Sequence, residues 1–491
     1  MKKTQQTQTG ATRRDFLKTS MLMGLGLGAS GLLRLNTARA ATPGDPFGPT
    51  KDFSSTGDIS ATRPRPAGNK PVYDLTTAPL AKVRVAIIGL GGRGTSVLNN
   101  ILNVEFAEVT ALCDILPEKV DRALKAAKTK RGFTPRAYSG SDSIWEKLVE
   151  QDNIDVVYVD TPWEWHVPMC EKAMLNGKHA FVEVAAALTV DECWRLVDIS
   201  EKTQRHCPIM ENCCYGEEEL FVLNLTRNNV FGDLTHGECA YLHNMRANLF
   251  WLGKEGAWRR EYHKTLDGNL YPTHGLGPVC QYMNIGRGDN MKHLVSMSSR
   301  EAGLSQYLAE HNPNNGRHAG EKYVCGDMNT SLIKTEQGRT IMVQHDVVGS
   351  RPYSRINALY GVHATYFDYP PRLALDTPAA YGLTAKDSDD WLNEKDMKKM
   401  RDKFTHPLWK QLQTRAKGSG HGGMDFVINY RMLDCLRQGI TPDMTVYDAA
   451  AWSSILELSV KSVASGSAPQ PIPDFTRGAW KTIKPLGIVT A

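Results

Sequence analysis

Gly89, Gly91 and Gly94 stand at the G-x-G-x-x-G spacing, directly after the apolar run VRVAII. In that spacing a first glycine makes a tight turn. A second admits a pyrophosphate close to the backbone, and a third lets the next helix pack on the strand. The stretch TSVLNNIL after Gly94 can begin that helix, with its N-terminus facing the phosphates. A second apolar run, AEVTALC, leads to Asp114, twenty residues past Gly94. An acid there can bond both ribose hydroxyls of NAD and repels the 2′-phosphate of NADP. Strand, turn, helix and acid together predict an NAD site.

Proton chemistry points to another stretch, DGNLYPTHGLGP at 267–278. Tyr271 and His274 are three residues apart, and if the turn after Pro272 is helical they share a face. A phenol beside an imidazole can relay a proton, and histidine as a residue type works near neutrality. Trp163 and His166, in DTPWEWHVP, follow a predicted strand end and can border the nicotinamide. Glu183 and Val184, in FVEVA, lie at another strand end. Weaker candidates are Tyr241, Arg260, His421 in GHGGMDF, and Tyr353 in GSRPYSR beside Arg351 and Arg355. There is no HExxH and the fourteen histidines are scattered, so no metal is predicted.

The elements that must position these residues fall into two blocks. From 81 to 211, strands are expected at 83–88, 107–113, 155–159, 179–184 and 207–211. Helices fit 95–102, 117–128, 142–150, 166–175 and 189–203. That alternation predicts an α/β Rossmann domain with a parallel, doubly wound sheet. From 212 to 491 the strands become longer and more polar, as in GDLTHGECAYLHN, NTSLIKTEQG and TIMVQHDVV. This predicts an α+β domain on a mainly antiparallel open sheet with one exposed face. The charged segment 379–418 is expected to be an insertion or helical excursion. Helices at 424–438 and 446–464 close the fold.

The N-terminus predicts location. Arg13 and Arg14 lie in TRRDFLK, followed by a modest apolar run from Ser20 to Leu33 and the small-x-small triplet Ala38-Arg39-Ala40. This is the pattern of a twin-arginine export signal over 1–40, with a mature chain from Ala41 and an extended arm over 41–80. The apolar run is too short and glycine-rich for a stable membrane span. That route exports folded proteins, so the cofactor is expected to leave with the protein into the periplasm. A cofactor that cannot be exchanged must be regenerated within each turnover. A net charge of +5 over 491 residues, with no basic tract, gives no sign of a nucleic-acid partner. The ten cysteines have no zinc spacing, and Cys213 and Cys214 are adjacent, so buried thiols rather than disulfides are expected.

The order of GLGGRG, TPWEWH, Glu183-Val184, ENCCY, NLYPTHGLGP, RPYSR and GHGGMDF resembles the glucose-fructose oxidoreductase / inositol dehydrogenase superfamily. It covers nearly the whole mature chain. Within that superfamily the chain is most similar to glycoside hydrolase family 109, the NAD-dependent α-N-acetylgalactosaminidases. The resemblance implies that Gly92 and Arg93 touch the pyrophosphate and Asp114 the adenosine ribose. Trp163, His166, Glu183, Val184 and Asn212 would line the nicotinamide side. Tyr241, Arg260, Tyr271, Pro272, Thr273, His274 and Tyr353 would surround the sugar. The implied reaction hydrolyses terminal α-N-acetylgalactosaminides by transient oxidation at C3, loss of the C2 proton, elimination at C1, water addition and re-reduction. His274 would take the C3 hydroxyl proton with Tyr271 assisting, and Tyr215 is a candidate base at C2. Sugar dehydrogenases of the superfamily commonly carry Glu-Lys-Pro where this chain has Glu183-Val184-Ala185, and valine cannot move a proton. The alternative is a periplasmic sugar oxidoreductase with bound cofactor. A homo-oligomer is implied by the same resemblance.

Overall fold

The computed structural model describes residues 59–252, 255–385 and 389–490. The expected export signal, its cleavage after Ala40 and the start of the arm lie outside the described residues. The first domain runs β1 (Val83–Ile88), α1 (Gly92–Ile101), β2 (Ala107–Cys113), α2 (Pro117–Arg131), β3 (Arg136–Tyr138) and α3 (Ile144–Val149). It continues with β4 (Val156–Val159), α4 (His166–Leu175), β5 (His179–Val182) and α5 (Val190–Thr203). The five strands form one parallel sheet in the order β3-β2-β1-β4-β5. Strands β4 and β5 are buried at every residue. Continuous apolar runs of this kind suit a sheet covered on both faces.

Two expectations are corrected here. The strand foreseen at 207–211 is reduced to a single parallel bridge between Val182 and Ile209. Pro208 has no amide hydrogen to give, so the ladder cannot extend through it. Strand β3 was not foreseen, because three edge residues carry too little periodicity to read.

The second domain contains α6 (Glu217–Arg227), β6 (Leu234–Leu242), α7 (Arg246–Leu249), α8 (Glu255–His263), α9 (Thr273–Tyr282), β7 (Met291–Ser298) and α10 (Gly303–His311). Then come β8 (Asn329–Thr335), β9 (Thr340–Asp346), β10 (Ala358–Gly361), β11 (Ala364–Phe367) and β12 (Arg372–Leu375). The chain ends with α11 (Glu394–Phe404), α12 (Pro407–Ala416), α13 (Met424–Gln438), α14 (Val446–Ala464) and β13 (Gln470–Pro471). Eight strands make a sheet in the order β12-β11-β10-β6-β9-β8-β7-β13. Neighbours are antiparallel except β6 and β9, which run parallel. Buried and open residues alternate along β8, as expected for a sheet with one covered face. The charged stretch before α13 is largely helical, in α11 and α12.

Two features join the domains. Helix α14 is buried along most of its length and packs against both α5 and β7. The described part of the arm ties α5 to α13. Arg65 pairs with Glu201 at 2.9 Å, and the amides of Thr77 and Leu80 donate to the carbonyls of Gly439 and Arg437. All ten cysteines are buried and none is in a disulfide.

The glycines of YPTHGLGP set the position of α9. A Cβ on Gly275 would lie 2.5 Å from the Ala240 amide nitrogen and 2.7 Å from its carbonyl oxygen, on β6. A Cβ on Gly277 would lie 3.0 Å from Cγ of Glu211. Helix α9 therefore rests on strand β6 and on the turn that leaves the first domain. Gly275→Ala is expected to cost about 1–3 kcal/mol, since backbone rather than a flexible side chain blocks the methyl. Denaturant unfolding measures this, and an unchanged midpoint would mean that β6 yields.

Candidate active site

The glycine turn has the shape its spacing predicts. Gly89 has φ +94°, and a Cβ there would strike the Asp160 carbonyl. A Cβ on Gly94 would strike the Gly89 carbonyl oxygen, so the start of α1 lies hard against the turn. At Gly91 and Gly92 a Cβ would meet nothing. That open edge faces the first turn of α1, which no side chain caps. Its free amides suit an anion. At the end of β2, Asp114 accepts from the amides of Leu90 (2.8 Å) and Leu116 (3.0 Å). The carboxylate is thus fixed beside the turn. These residues fit a dinucleotide.

Arg93 projects from α1 across the cleft. Its guanidinium pairs with Glu183 at 2.6 Å and with Asp425, on α13, at 2.9 Å. Burial opposes its charge, but the two carboxylates hold its pKa well above the ordinary value. Asp425 also receives the Asn212 amide at 2.7 Å and the His421 imidazole at 2.8 Å. Burial would raise the Asp425 pKa, but His421 and Arg93 hold it well below the usual carboxylate range. His421 itself is exposed. This chain of charges closes the second domain over the glycine turn. GHGGMDF drew attention to His421, while Asp425 in the same motif makes the domain contact.

Trp163 donates from Nε1 to the Val184 carbonyl at 3.0 Å, so these two expected nicotinamide neighbours are joined. The Val184–Ala185 peptide is cis. His166 differs from its expected role at the nicotinamide. It is fully buried, and its ring nitrogens lie 2.7 Å and 2.8 Å from the carbonyls of Ala185 and Thr161. It ties the loop after β4 to the loop after β5.

The proton-handling group is more complete than the sequence alone indicates. His274, in the first turn of α9, places Nδ1 2.7 Å from Glu211 Oε1. A carboxylate only accepts, so Nδ1 carries the hydrogen and Nε2 is the basic nitrogen. Tyr271 Oη lies 3.4 Å from that Nε2. Burial would push the Glu211 carboxyl up, but His274 and the amide of Cys213 bring it below its usual value. Glu211 was not foreseen. It is distant from His274 in sequence, and only the fold brings the two together. Tyr271 precedes the helix rather than sharing its face. Pro272 is the N-cap of α9 and Thr273 is fully buried, so both shape the turn rather than line the pocket. Cys213, Glu211 and His274 have ligand atoms within 4.8 Å of one another, but the short His274–Glu211 bond already engages two of them.

Aromatic rings gather beside this group. Tyr271 stacks on Trp163 with centroids 5.9 Å apart and lies 4.6 Å from Tyr241. Tyr353 meets Tyr241 at 6.1 Å and His243 at 5.0 Å. Arg355 donates to the Tyr353 hydroxyl at 3.1 Å and pairs with Glu219. Arg351 is exposed. Two expectations fail at this pocket. Arg260 is buried away from it, bonded to Glu321 (3.0 Å) and the Leu249 carbonyl (2.8 Å). Its neighbour Arg259 occupies the site instead, 4.6 Å from the Tyr271 ring centroid and 5.1 Å from that of Trp163. One step along a helix turns a side chain by about 100°, which sequence counting cannot resolve. Arg259 also lines a small cavity with Tyr241, His263 and His345. Burial pushes His345 down to about 3, with His263 and Arg259 adding to the effect. The second failure is Tyr215. Its hydroxyl donates to Asp443 at 3.0 Å in the buried core, and burial followed by Asp443 raises its pKa well above the ordinary value. A phenol so engaged does not suit a base at C2.

Residues 215–482 match the model of the glycosyl hydrolase 109 C-terminal domain. The chain belongs to glycosyl hydrolase family 109. Residues 83–210 match the oxidoreductase family with an NAD-binding Rossmann fold, and NAD is the cofactor of this glycosyl hydrolase. A glycosyl hydrolase family 109 protein of Shewanella putrefaciens is 46% identical over 444 residues, 90% of this chain and 95% of the relative. One from Shewanella baltica is 44% identical over 481 residues, 98% and 99% of the two chains. Among solved structures, an NAD-binding oxidoreductase from Klebsiella pneumoniae shares the fold with a TM-score of 0.59 at 11% identity. It covers 80% of this chain and 99% of that one. An inositol dehydrogenase homologue from Azotobacter vinelandii, complexed with NADH and myo-inositol, has a TM-score of 0.55 at 16% identity. It covers 80% of this chain and 98% of that one.

The two arginines of this family 109 enzyme make opposite predictions. Arg259→Gln is expected to keep the folding midpoint and lower kcat/KM for hydrolysis by about 10- to 100-fold. Arg260→Gln is expected to cost about 1–3 kcal/mol of stability, because it removes the buried guanidinium's bonds to Glu321 and to the Leu249 carbonyl. Thermal unfolding beside steady-state kinetics separates them. Equal effects on both readouts would remove the assignment.

Proposed function

We propose that this enzyme hydrolyses terminal α-N-acetylgalactosaminides by transient oxidation at C3, elimination of the glycosidic oxygen, water addition and re-reduction. The observation that carries the reading is the Glu211–His274–Tyr271 group. It presents a basic Nε2 beside a phenol at the edge of the NAD cleft. When bound, NAD supplies an acceptor for the C3 hydride and returns that hydride after the bond is cut.

His274 Nε2 accepts the C3 hydroxyl proton, and Glu211 stabilises the imidazolium that results. Tyr271 passes the proton between the sugar oxygen and Nε2. The C3 ketone acidifies the C2 hydrogen, which leaves as a proton to water while the C1–O bond breaks and the departing aglycone oxygen takes up a proton. Water adds to the unsaturated sugar at C1, the C2 hydrogen is restored, and the same His274 proton returns to the C3 oxygen. The balance is one water consumed and no net redox change. Ordinary glycosidases place two carboxyl groups across the glycosidic bond; here the acid of the group acts through histidine.

Several features support the substrate reading. Trp163, Tyr241, Tyr271 and Tyr353 form one aromatic cluster, with Tyr353 exposed at its edge, and such a cluster suits a pyranose. Arg259 lies among them, able to hold a polar substituent. Val184 stands where the dehydrogenase pattern has lysine, which disfavours simple alcohol oxidation. Export by the twin-arginine route belongs to the same proposal, because a redox-neutral cycle needs no partner outside the cytoplasm. Met297 and Leu332, exposed on β7 and β8, support a homo-oligomer formed through the outer face of the second sheet.

The test uses aryl α-N-acetylgalactosaminide in D2O. The proposal expects aryl release with deuterium at C2 of the free sugar and no net NADH. Release from a C2-deuterated substrate at the full protio rate, with no solvent deuterium entering, would overturn it. Net formation of a keto sugar would favour the oxidoreductase.

A further inference from the structure

A second histidine is backed by a buried carboxylate. His421 Nδ1 lies 2.8 Å from Asp425 Oδ2. A carboxylate only accepts, so Nδ1 carries the hydrogen and Nε2 is the outer nitrogen. Asp425 is wholly buried, and its Oδ1 takes Arg93 at 2.9 Å and the Asn212 amide at 2.7 Å. Oδ2 is thereby left for the imidazole. The His421 side chain is 60% exposed, so a ligand can reach it.

Three observations place this pair at the cleft. Asn212 directly follows Glu211, so one turn fixes both pairs. Glu211 holds His274, and Asn212 holds the carboxylate behind His421. The loop rests on α1, since a Cβ on Gly420 would lie 3.5 Å from Ser96 Oγ. His243 packs edge-on against Tyr353, and its pKa is lowered by burial and then by the charges of Arg259, His274 and His421. Charges open to solvent are screened over short distances, so His421 stands near His243 and the aromatic cluster. His421 also has φ +53°, ahead of two glycines at +71° and +109°. Glycine is the relaxed residue in that conformation, and a side chain kept there carries strain of the kind that gathers at functional sites.

In the proposed cycle His274 is occupied with the C3 oxygen, which leaves the aglycone oxygen in need of another proton donor. The aglycone departs toward solvent, and an exposed imidazole suits that side. We propose that His421, held by Asp425, is a catalytic acid that protonates the departing aglycone oxygen and then a base toward the water that adds at C1. As the C1–O bond breaks, its electron pair stays on the aglycone oxygen, which takes the Nε2 proton. Neutral His421 then takes a proton from the water whose oxygen joins C1. Asp425 stabilises the imidazolium at both ends of the exchange. This inference rests on the glycosidase reading and adds the group that serves the leaving oxygen.

The experiment compares methyl and dinitrophenyl α-N-acetylgalactosaminide on NAD-loaded wild type and His421→Gln. Methoxide is a strong base and needs the proton, whereas dinitrophenolate leaves without it. The variant is expected to lose about 100-fold or more in kcat on the methyl glycoside and about tenfold or less on the dinitrophenyl one. Its bound NAD, assayed in acid extracts, is expected to match wild type. A structural role would lower both rates alike. Should the glutamine variant fail to fold, His421→Asn serves the same comparison, since asparagine tolerates positive φ. Equal losses on the two glycosides, no loss on either, or loss of bound NAD with no leaving-group difference would overturn the proposal and leave the glycosidase reading in place. Wild type that cleaves neither glycoside would remove that reading and this one with it.

Discussion

The hydrogen bond between Glu211 and His274 is the constraint on which the site depends. Glu211 is the last residue before the chain turns out of the parallel sheet into the second domain, and it is wholly buried. A buried carboxylate needs a partner, and breaking such a pair costs about 3–5 kcal/mol. That need holds α9 at one depth and one rotation. The glycines at 275 and 277 allow it by letting the helix approach β6 and the Glu211 turn. Once α9 is seated, Nε2 of His274 is left basic and turned toward Tyr271.

The Arg93 ion pairs act in a related way at the cofactor side. Arg93 belongs to the first domain, and one of its two carboxylates, Asp425, belongs to the second. The same α1 residue that borders the phosphate edge also closes the cleft. The start of α1 and the docking of the two domains are therefore tied through one side chain.

Local patterns were legible in the sequence and long-range partnerships were not. The glycine turn, Asp114, the strand and helix alternation, and helices α13 and α14 each announce themselves within a short window. Tyr271 and His274 were visible because they are close in the chain. Glu211, Arg259 and Asp425 owe their places to neighbours far away in sequence. Arg259 shows the limit most sharply, since its neighbour Arg260 is identical in type and differs only in helical rotation. His166 and Tyr215 err in the other direction. One was expected beside the nicotinamide and the other as a base, but carbonyls lie against the ring nitrogens of His166 and Asp443 takes the hydroxyl of Tyr215. Pro208 shows how one missing amide hydrogen shortens a strand that its apolar neighbours advertise.

In the proposed reaction the Glu211–His274 pair works on the C3 hydroxyl, a position remote from the bond that is finally cut. The most direct measurement compares aryl release from an α-N-acetylgalactosaminide and from its 3-deoxy analogue on the same NAD-loaded enzyme. Release is expected from the first and none above background from the second, with the analogue still bound as a competitive inhibitor. Release from both at similar rates would contradict it, because the glycosidic bond would then break without any chemistry at C3.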